Sequence, residues 1–176
     1  MPNILCLMRE DLYRRMIDAE GEALLNSIGE VKRVSEFDGL PPEDYAALFD
    51  GVDGVVTGWG TPPVTVAIAE RSPSLKVISH TAGSMRGFPR ELLERGIVFT
   101  NALAGIARTV AETSLYFSLL GLRGYAQFLD PLRYGGVSGP DRPVRTRTLF
   151  EKTVGLVGFG NVGRIFRELL RPFECR

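Results

Sequence analysis

The chain has 176 residues, with 21 basic and 21 acidic side chains, one histidine and two cysteines. That length can bury a core without a metal or disulfide staple, since near 150 residues about 68–70% of the unfolded surface leaves water on folding. A formal net charge of zero excludes a bulk electrostatic pull toward nucleic acid or an anionic membrane.

No stretch approaches the ~20 apolar residues of a membrane span. Cys6 and Cys175 lie near opposite ends and form neither a metal-ligand spacing nor a disulfide framework. The apolar run within Met1–Arg9 is too short for a signal peptide. The expected home is the reducing cytoplasm.

Short apolar runs occur at Asn3–Met8, Val31–Ser35, Asp53–Thr57, Leu75–Ser79 and Ile97–Thr100. From the third onward, each begins 22 residues after its predecessor. Runs that are continuous rather than alternating predict strands covered on both faces, as in a parallel sheet. The segments between them, Leu12–Ile28, Glu43–Phe49, Val64–Arg71 and Arg90–Arg95, read as helices, so the pattern is one of right-handed βαβ crossovers. No residue pattern repeats with the cadence, which excludes a solenoid. The expectation over residues 1–100 is an α/β, flavodoxin-like domain with five parallel strands.

Local chemistry gives the boundaries. Pro41-Pro42 ahead of Glu43-Asp44 opens one helix with acids near its positive end. Thr61-Pro62 reads as an N-cap followed by proline in the first helical position. Trp59-Gly60, after the third strand, is either a pocket wall or a hydrophobic plug. The loop Ser79–Gly87 follows the fourth strand, where open α/β sheets bind ligands. Its Gly83 and Gly87 permit successive exposed N–H groups, a nest suited to an anion; a plain surface loop fits the residues equally. His80 has no carboxylate nearby in sequence and reads as a loop or packed histidine rather than an acid/base.

Thr109-Val-Ala-Glu112 fits a capping box. The helix it opens, 109–130, is apolar on most sides through Val110, Leu115, Tyr116, Phe117, Leu119, Leu120, Leu122, Tyr125, Phe128 and Leu129, and such a helix must be buried on most sides. An interface between domains or subunits would do so. Residues 131–148 carry Gly135-Gly136, Gly139-Pro140 and Pro143 and read as a linker. Its arginines Arg142, Arg145 and Arg147 read as solvated charges, with a cofactor phosphate as the alternative.

Thr153–Val157 reads as a strand, followed by Gly158-Phe-Gly160-Asn-Val-Gly163 and a helix at Arg164–Leu170. The motif G-x-G-x-x-G alone is weak in a chain with 20 glycines. Its place between strand and helix points to a dinucleotide turn: the first glycine for the tight turn, the second for approach to a pyrophosphate, the third for helix–strand packing. The helix N-terminus adds unsatisfied N–H groups. An acid about 20 residues on, which would hold the ribose, falls beyond Arg176, and Glu174 comes too early. NAD and NADP are therefore not distinguished.

Three segments in order resemble the D-isomer-specific 2-hydroxyacid dehydrogenases, the family of phosphoglycerate, glycerate and formate dehydrogenases. They are His80–Gly87 leading to Arg95–Asn101, then Thr109–Glu112, then Thr153–Gly163. The resemblance implies a substrate domain at 1–100 and, at 101–176, an incomplete NAD(P)-binding domain. The latter comprises helix 109–130, linker 131–148 and a first βα unit 149–176 of Rossmann type. It further implies that backbone N–H groups of Ala82, Gly83 and Ser84 hold the carboxylate of a small 2-hydroxy or 2-oxo acid, and Trp59, read above as a possible pocket wall, is counted with them as substrate-binding. Thr109, Gly158, Gly160, Asn161, Val162 and Gly163 would meet the NAD or NADP cofactor, and the helix after Thr109 would build a homodimer.

The family's catalytic arginine, glutamate and histidine find no match here. The resemblance therefore implies a truncated oxidoreductase, inactive alone. Because helices below ~12–15 residues are marginal alone and a lone strand has no sheet to join, the segment from Thr153 to Arg176 is expected to be disordered, docked on its own domain or exchanged with another chain. A non-catalytic carboxylate-binding or oligomerisation module is the alternative; a free-standing regulatory domain would leave the glycine turn unexplained. No metal, nucleic acid or membrane partner is expected.

Overall fold

A computed structural model describes residues 1–126 and 145–176. The chain divides into two compact units, Met1–Leu103 and Ala104–Arg176.

The first unit is built on five parallel strands: β1 Asn3–Leu7, β2 Glu30–Val34, β3 Gly54–Thr57, β4 Val77–His80 and β5 Val98–Asn101. Their order is β2-β1-β3-β4-β5, the flavodoxin-like order anticipated from the apolar cadence. The register aligns strand ends: Leu7 pairs with Thr57, Thr57 with His80, and His80 with Asn101. The carboxyl ends of the four strands after β2 thus form one level edge.

Ile4, Leu5, Cys6 and Leu7 are all buried, as are all four residues of β3. Period-two alternation sends them to opposite faces. Leu5, Leu7, Val55 and Ile78 join Tyr45, Phe49, Ile68 and Leu92 in one core. Ile4, Cys6 and Val56 join Leu12 and Tyr13 in the other. The first core is covered by α3 Pro42–Ala47, α4 Val66–Arg71 and α5 Glu91–Glu94; the second takes α1 Glu10–Met16.

Two sequence expectations change here. The single helix expected over Leu12–Ile28 is two, α1 and α2 Ala19–Ile28, because Ile17 is extended and the Asp18 carboxylate accepts the Gly21 N–H at 2.8 Å as a new N-cap. Thr61 is not the cap of α4. Thr65 takes that place, its hydroxyl accepting from the Ile68 N–H. Thr61 Oγ1 instead donates to the Leu7 carbonyl at 2.8 Å and accepts from the Gly58 N–H, tying the loop after β3 to the end of β1.

In the second unit, the helix expected to start at Thr109 starts earlier: α6 spans Leu103–Leu122. The Asn101 side chain accepts the Leu103 N–H at 3.2 Å, an alternative start that displaces the capping box. Thr109 is consequently mid-helix, its carbonyl accepting the Thr113 hydroxyl. Gly124, at φ +62°, turns the chain out of α6, well before residue 130. Phe128, Leu129 and most of the stretch read as a linker, including Arg142, lie outside the described residues. Arg145 and Arg147 are exposed, and the Arg147 N–H donates to the Leu122 carbonyl.

The segment 149–176 is docked on α6. Ala111, with Leu115, Leu119 and Leu122 beside it, packs against Leu149, Phe166, Leu170 and their neighbours on α7 Asn161–Leu170. Thr153–Val157 belongs to no sheet. A single parallel rung is present: the Arg176 N–H donates to the Lys152 carbonyl at 2.9 Å and its carbonyl accepts the Val154 N–H at 2.8 Å. One residue bonding to both neighbours of the facing residue is the parallel-ladder pattern. A ladder of one rung does not make a strand, which is why the expected strand is absent.

Candidate functional site

The expected site residues fall in two units. In the first unit, the loop Thr81–Gly87 leaves the carboxyl end of β4. Its base is fixed by Thr57, fully buried at the end of β3. The Thr57 carbonyl accepts both the backbone N–H (2.8 Å) and the hydroxyl (3.0 Å) of Thr81, and Thr57 Oγ1 lies 2.9 Å from His80 Nδ1. The His80 ring also meets Phe88 edge-on at 5.3 Å. Burial lowers the His80 pKa, because desolvation disfavours the imidazolium. His80 is a packed histidine that anchors the loop, as its sequence setting suggested.

Beyond this base, the loop's carbonyls and amides are treated differently. The Ala82 carbonyl accepts the Ala102 N–H at 3.2 Å, the Gly83 carbonyl accepts from Asn101 Nδ2 at 3.4 Å, and the Met85 carbonyl accepts the Phe88 N–H at 3.1 Å. Among the described residues, the N–H groups of Ala82, Gly83, Ser84 and Met85 have no protein acceptor. Successive donors without partners are costly where water is scarce, and they suit an anion. Ala82 is buried, Gly83 half-buried and Ser84 exposed. The row of donors thus runs from the core to the surface.

Asn101 was not among the sequence-stated site residues. Its position pairing with His80 across β4 and β5 is what brings it under Gly83. The regular strand cadence contained that register, but no motif marked it. Trp59, about half exposed, follows β3 and precedes Gly60, whose φ is +80°. A Cβ on Gly60 would lie 2.7 Å from a guanidinium nitrogen of Arg9, which itself pairs with Asp38 through two bonds of 2.8 and 3.1 Å. Trp59 is not a buried plug.

The second unit holds the glycine turn. Gly158 has φ +91°, a conformation L side chains rarely adopt. A Cβ at Gly163 would stand 2.7 Å from the Gly158 carbonyl oxygen, whereas one at Gly160 would meet open space. Tight turn, open approach and close packing therefore fall on the three glycines in the order a dinucleotide turn requires. Gly160 is the N-cap of α7 and supplies no side-chain bond. The first helical bond runs from the Arg164 N–H to the Gly160 carbonyl. The amides of Asn161, Val162 and Gly163 precede it and lack intrahelical partners. The Asn161 side chain accepts from Arg164 at 2.7 Å. These residues fit a cofactor pyrophosphate.

Among the described residues, no group of three or more His, Cys, Asp or Glu side chains is placed to hold a metal. No helix among them is long and apolar enough to cross a membrane.

No protein-family model matches the chain. A hydroxypyruvate reductase from Thermotoga maritima is 28% identical over 149 residues, which are 84% of this chain and 47% of that protein. The chain resembles the D-2-hydroxyacid dehydrogenase family. Solved structures of that likeness share its fold. A glyoxylate reductase from Paecilomyes thermophila matches with a TM-score of 0.75 at 18% identity, over 99% of this chain and 54% of that one. An acyclic imino acid reductase, solved in complex with NADPH and D-Arg, gives 0.78 at 19% identity over 99% and 54%. A phosphoglycerate oxidoreductase from Rhizobium etli gives 0.68 at 24% over 100% and 55%. The chain spans about half the length of each of these proteins.

Proposed function

We propose that this chain carries the substrate-carboxylate loop and the pyrophosphate turn of an NAD(P)-dependent D-2-hydroxyacid dehydrogenase. The observation that carries the reading is the run of unengaged amides from Ala82 to Met85, beside carbonyls of Ala82, Gly83 and Met85 that are bonded. A carboxylate of a small 2-hydroxy or 2-oxo acid would accept from Ala82, Gly83 and Ser84, each charge-assisted bond contributing about 1.5–3 kcal/mol. Trp59 would wall the same carboxyl edge.

At the glycine turn, Gly158, Gly160 and the amides of Asn161, Val162 and Gly163 would hold the pyrophosphate of NAD or NADP. Thr109, on α6, is proposed as a further cofactor contact. When bound, the nicotinamide supplies the hydride acceptor or donor. The chain's own residues bind and orient the carboxylate and the pyrophosphate. We assign no proton transfer to these residues, so the 176-residue chain alone is expected to bind without turnover. A cytoplasmic location and a homodimer through α6 complete the proposal.

Titration calorimetry with glyoxylate, pyruvate and hydroxypyruvate tests the loop. Heat of binding that disappears in Ser84→Pro, which removes one amide donor, is the expected result. Absence of heat with all three acids would sink the carboxylate assignment. NADH-dependent reduction of any of them by the purified chain would overturn the expectation of no turnover.

One observation favours a second reading, a non-catalytic oligomerisation module. Val110, Tyr116 and Phe117 of α6 are large, apolar and exposed.

A further inference from the structure

A groove of about 600 Å³ lies between α3 and α4 in the first unit, and no element of the proposed chemistry uses it. Its floor is Phe37, Tyr45 and Ile68, each at most 8% exposed, and its walls include Leu40, Pro62 and Ala67. That volume lies within the range of small-molecule sites.

The polar groups of the lining are already committed. The Tyr45 hydroxyl donates to the Pro62 carbonyl at 2.8 Å, and burial pushes its pKa up to about 12. Thr65 Oγ1 caps the Ile68 N–H. The groove therefore has little to offer a polar ligand body.

The charges tell the same story with one exception. Asp38 is held by Arg9 in a two-bond pair. Arg71 is held by Asp50 at 2.9 and 3.1 Å, and Glu43 adds a weaker field at the same guanidinium. Glu43 makes no hydrogen bond or salt bridge to any described residue, so the lining and its paired partners carry one surplus negative charge.

We propose that this groove binds a small organic cation, an apolar body seated on Phe37, Tyr45 and Ile68 with a protonated amine turned toward Glu43. Charge complementarity selects this occupant over a neutral or anionic one of the same shape. The groove shares no lining residue with the Ala82–Met85 loop and has the opposite charge preference.

The test uses three probes of nearly one shape, 4-phenylbutylamine, 4-phenylbutan-1-ol and 4-phenylbutanoate, titrated into the whole chain and followed by backbone and methyl NMR. The amine is expected to bind about threefold to fivefold more tightly than the alcohol, the scale of one exposed charge pair. Shifts and intermolecular NOEs should fall on Tyr45, Ala46 and Ile68. Glu43→Gln should make amine and alcohol equal, and Ala67→Trp should exclude both. Neither change should alter the heat of 2-oxo acid binding, so failure here and failure of the loop assignment are separable. Equal binding of amine and alcohol to the unaltered chain, NOEs elsewhere, or no binding of any probe would overturn the proposal. If Ala67→Trp fails to fold, the NOEs and the Glu43→Gln comparison still decide it.

Discussion

The Gly158 carbonyl oxygen and the Cα of Gly163 approach so closely that a Cβ on Gly163 would stand 2.7 Å from that oxygen. Both atoms belong to backbone, so neither can swing away as a side-chain end would. Gly163→Ala must therefore part α7 from the turn. The expected cost is about 1–3 kcal/mol, typical of overpacking. Hydrogen exchange reads it directly: amides of α7 should exchange faster while those of β1 and β3 keep their protection. Gly160→Ala, with open space around its Cβ position, should leave exchange unchanged and act only on cofactor affinity.

His80 makes stability pH-dependent in a defined direction. Its folded pKa lies below the ordinary 6.5 because burial disfavours the charged ring. The unfolded chain then binds more protons in that range, so the contribution is complete above about pH 6.5 and is lost as pH falls through the folded value. It is the only histidine, and the exposed carboxylates of Glu10, Asp38 and Asp50 are shifted to still lower pH by their arginine partners. Thermal melts between pH 5 and 7 should show Tm falling with acid for the unaltered chain and flat for His80→Gln. An unchanged slope in His80→Gln would refute the assignment.

Thr57→Val keeps the shape at the end of β3 but removes the hydroxyl beside His80 Nδ1. Leaving that nitrogen without its partner should cost about 1–3 kcal/mol in denaturant unfolding.

Asn101 serves two neighbours with opposite ends of its amide, donating to the Gly83 carbonyl and accepting from the Leu103 N–H. Asn101→Asp retains the acceptor but not the donor. It should keep the start of α6 while weakening 2-oxo acid binding about threefold or more by calorimetry. Asn101→Ala should lose both, with about 0.5–2 kcal/mol of helix stability besides.

Two glycines of the first unit separate backbone from side-chain constraint. A Cβ at Gly29 would collide with the Pro2 carbonyl oxygen, whereas one at Gly58 would meet the ends of Leu12 and Met8 at 2.6 and 2.9 Å. Side-chain ends can repack and a carbonyl cannot. Gly29→Ala should therefore lower the denaturation midpoint more than Gly58→Ala, with the second costing about 1 kcal/mol.

The fold of the first unit was legible because its signal is physical and local. Strands such as Leu5–Leu7 and Val55–Val56, buried on both faces, cannot alternate with polar residues, so they appear as short apolar runs. The glycine turn was legible for a similar reason, since Gly158 and Gly163 are demanded by a positive φ and a close approach. Capping was less legible. Thr61 and Thr109 have the right residue types, but Thr65 caps α4 and α6 already begins at Leu103, whose N–H the Asn101 side chain accepts, because a helix start depends on which residue the preceding chain delivers to its end.

By itself, the sequence determined the parallel α/β layer, the place of the loop after β4 and the order of the three turn glycines. Each follows from periodicity, burial or backbone conformation within a few consecutive residues. Only the tertiary structure decided that Asn101 and Ala102 turn the loop's carbonyls away and leave its amides unengaged, because that contact joins residues 18 to 20 apart through strand register. It likewise decided that Glu43 faces an apolar groove with its neighbouring charges already paired. Those are relations between elements, and no local pattern carries them.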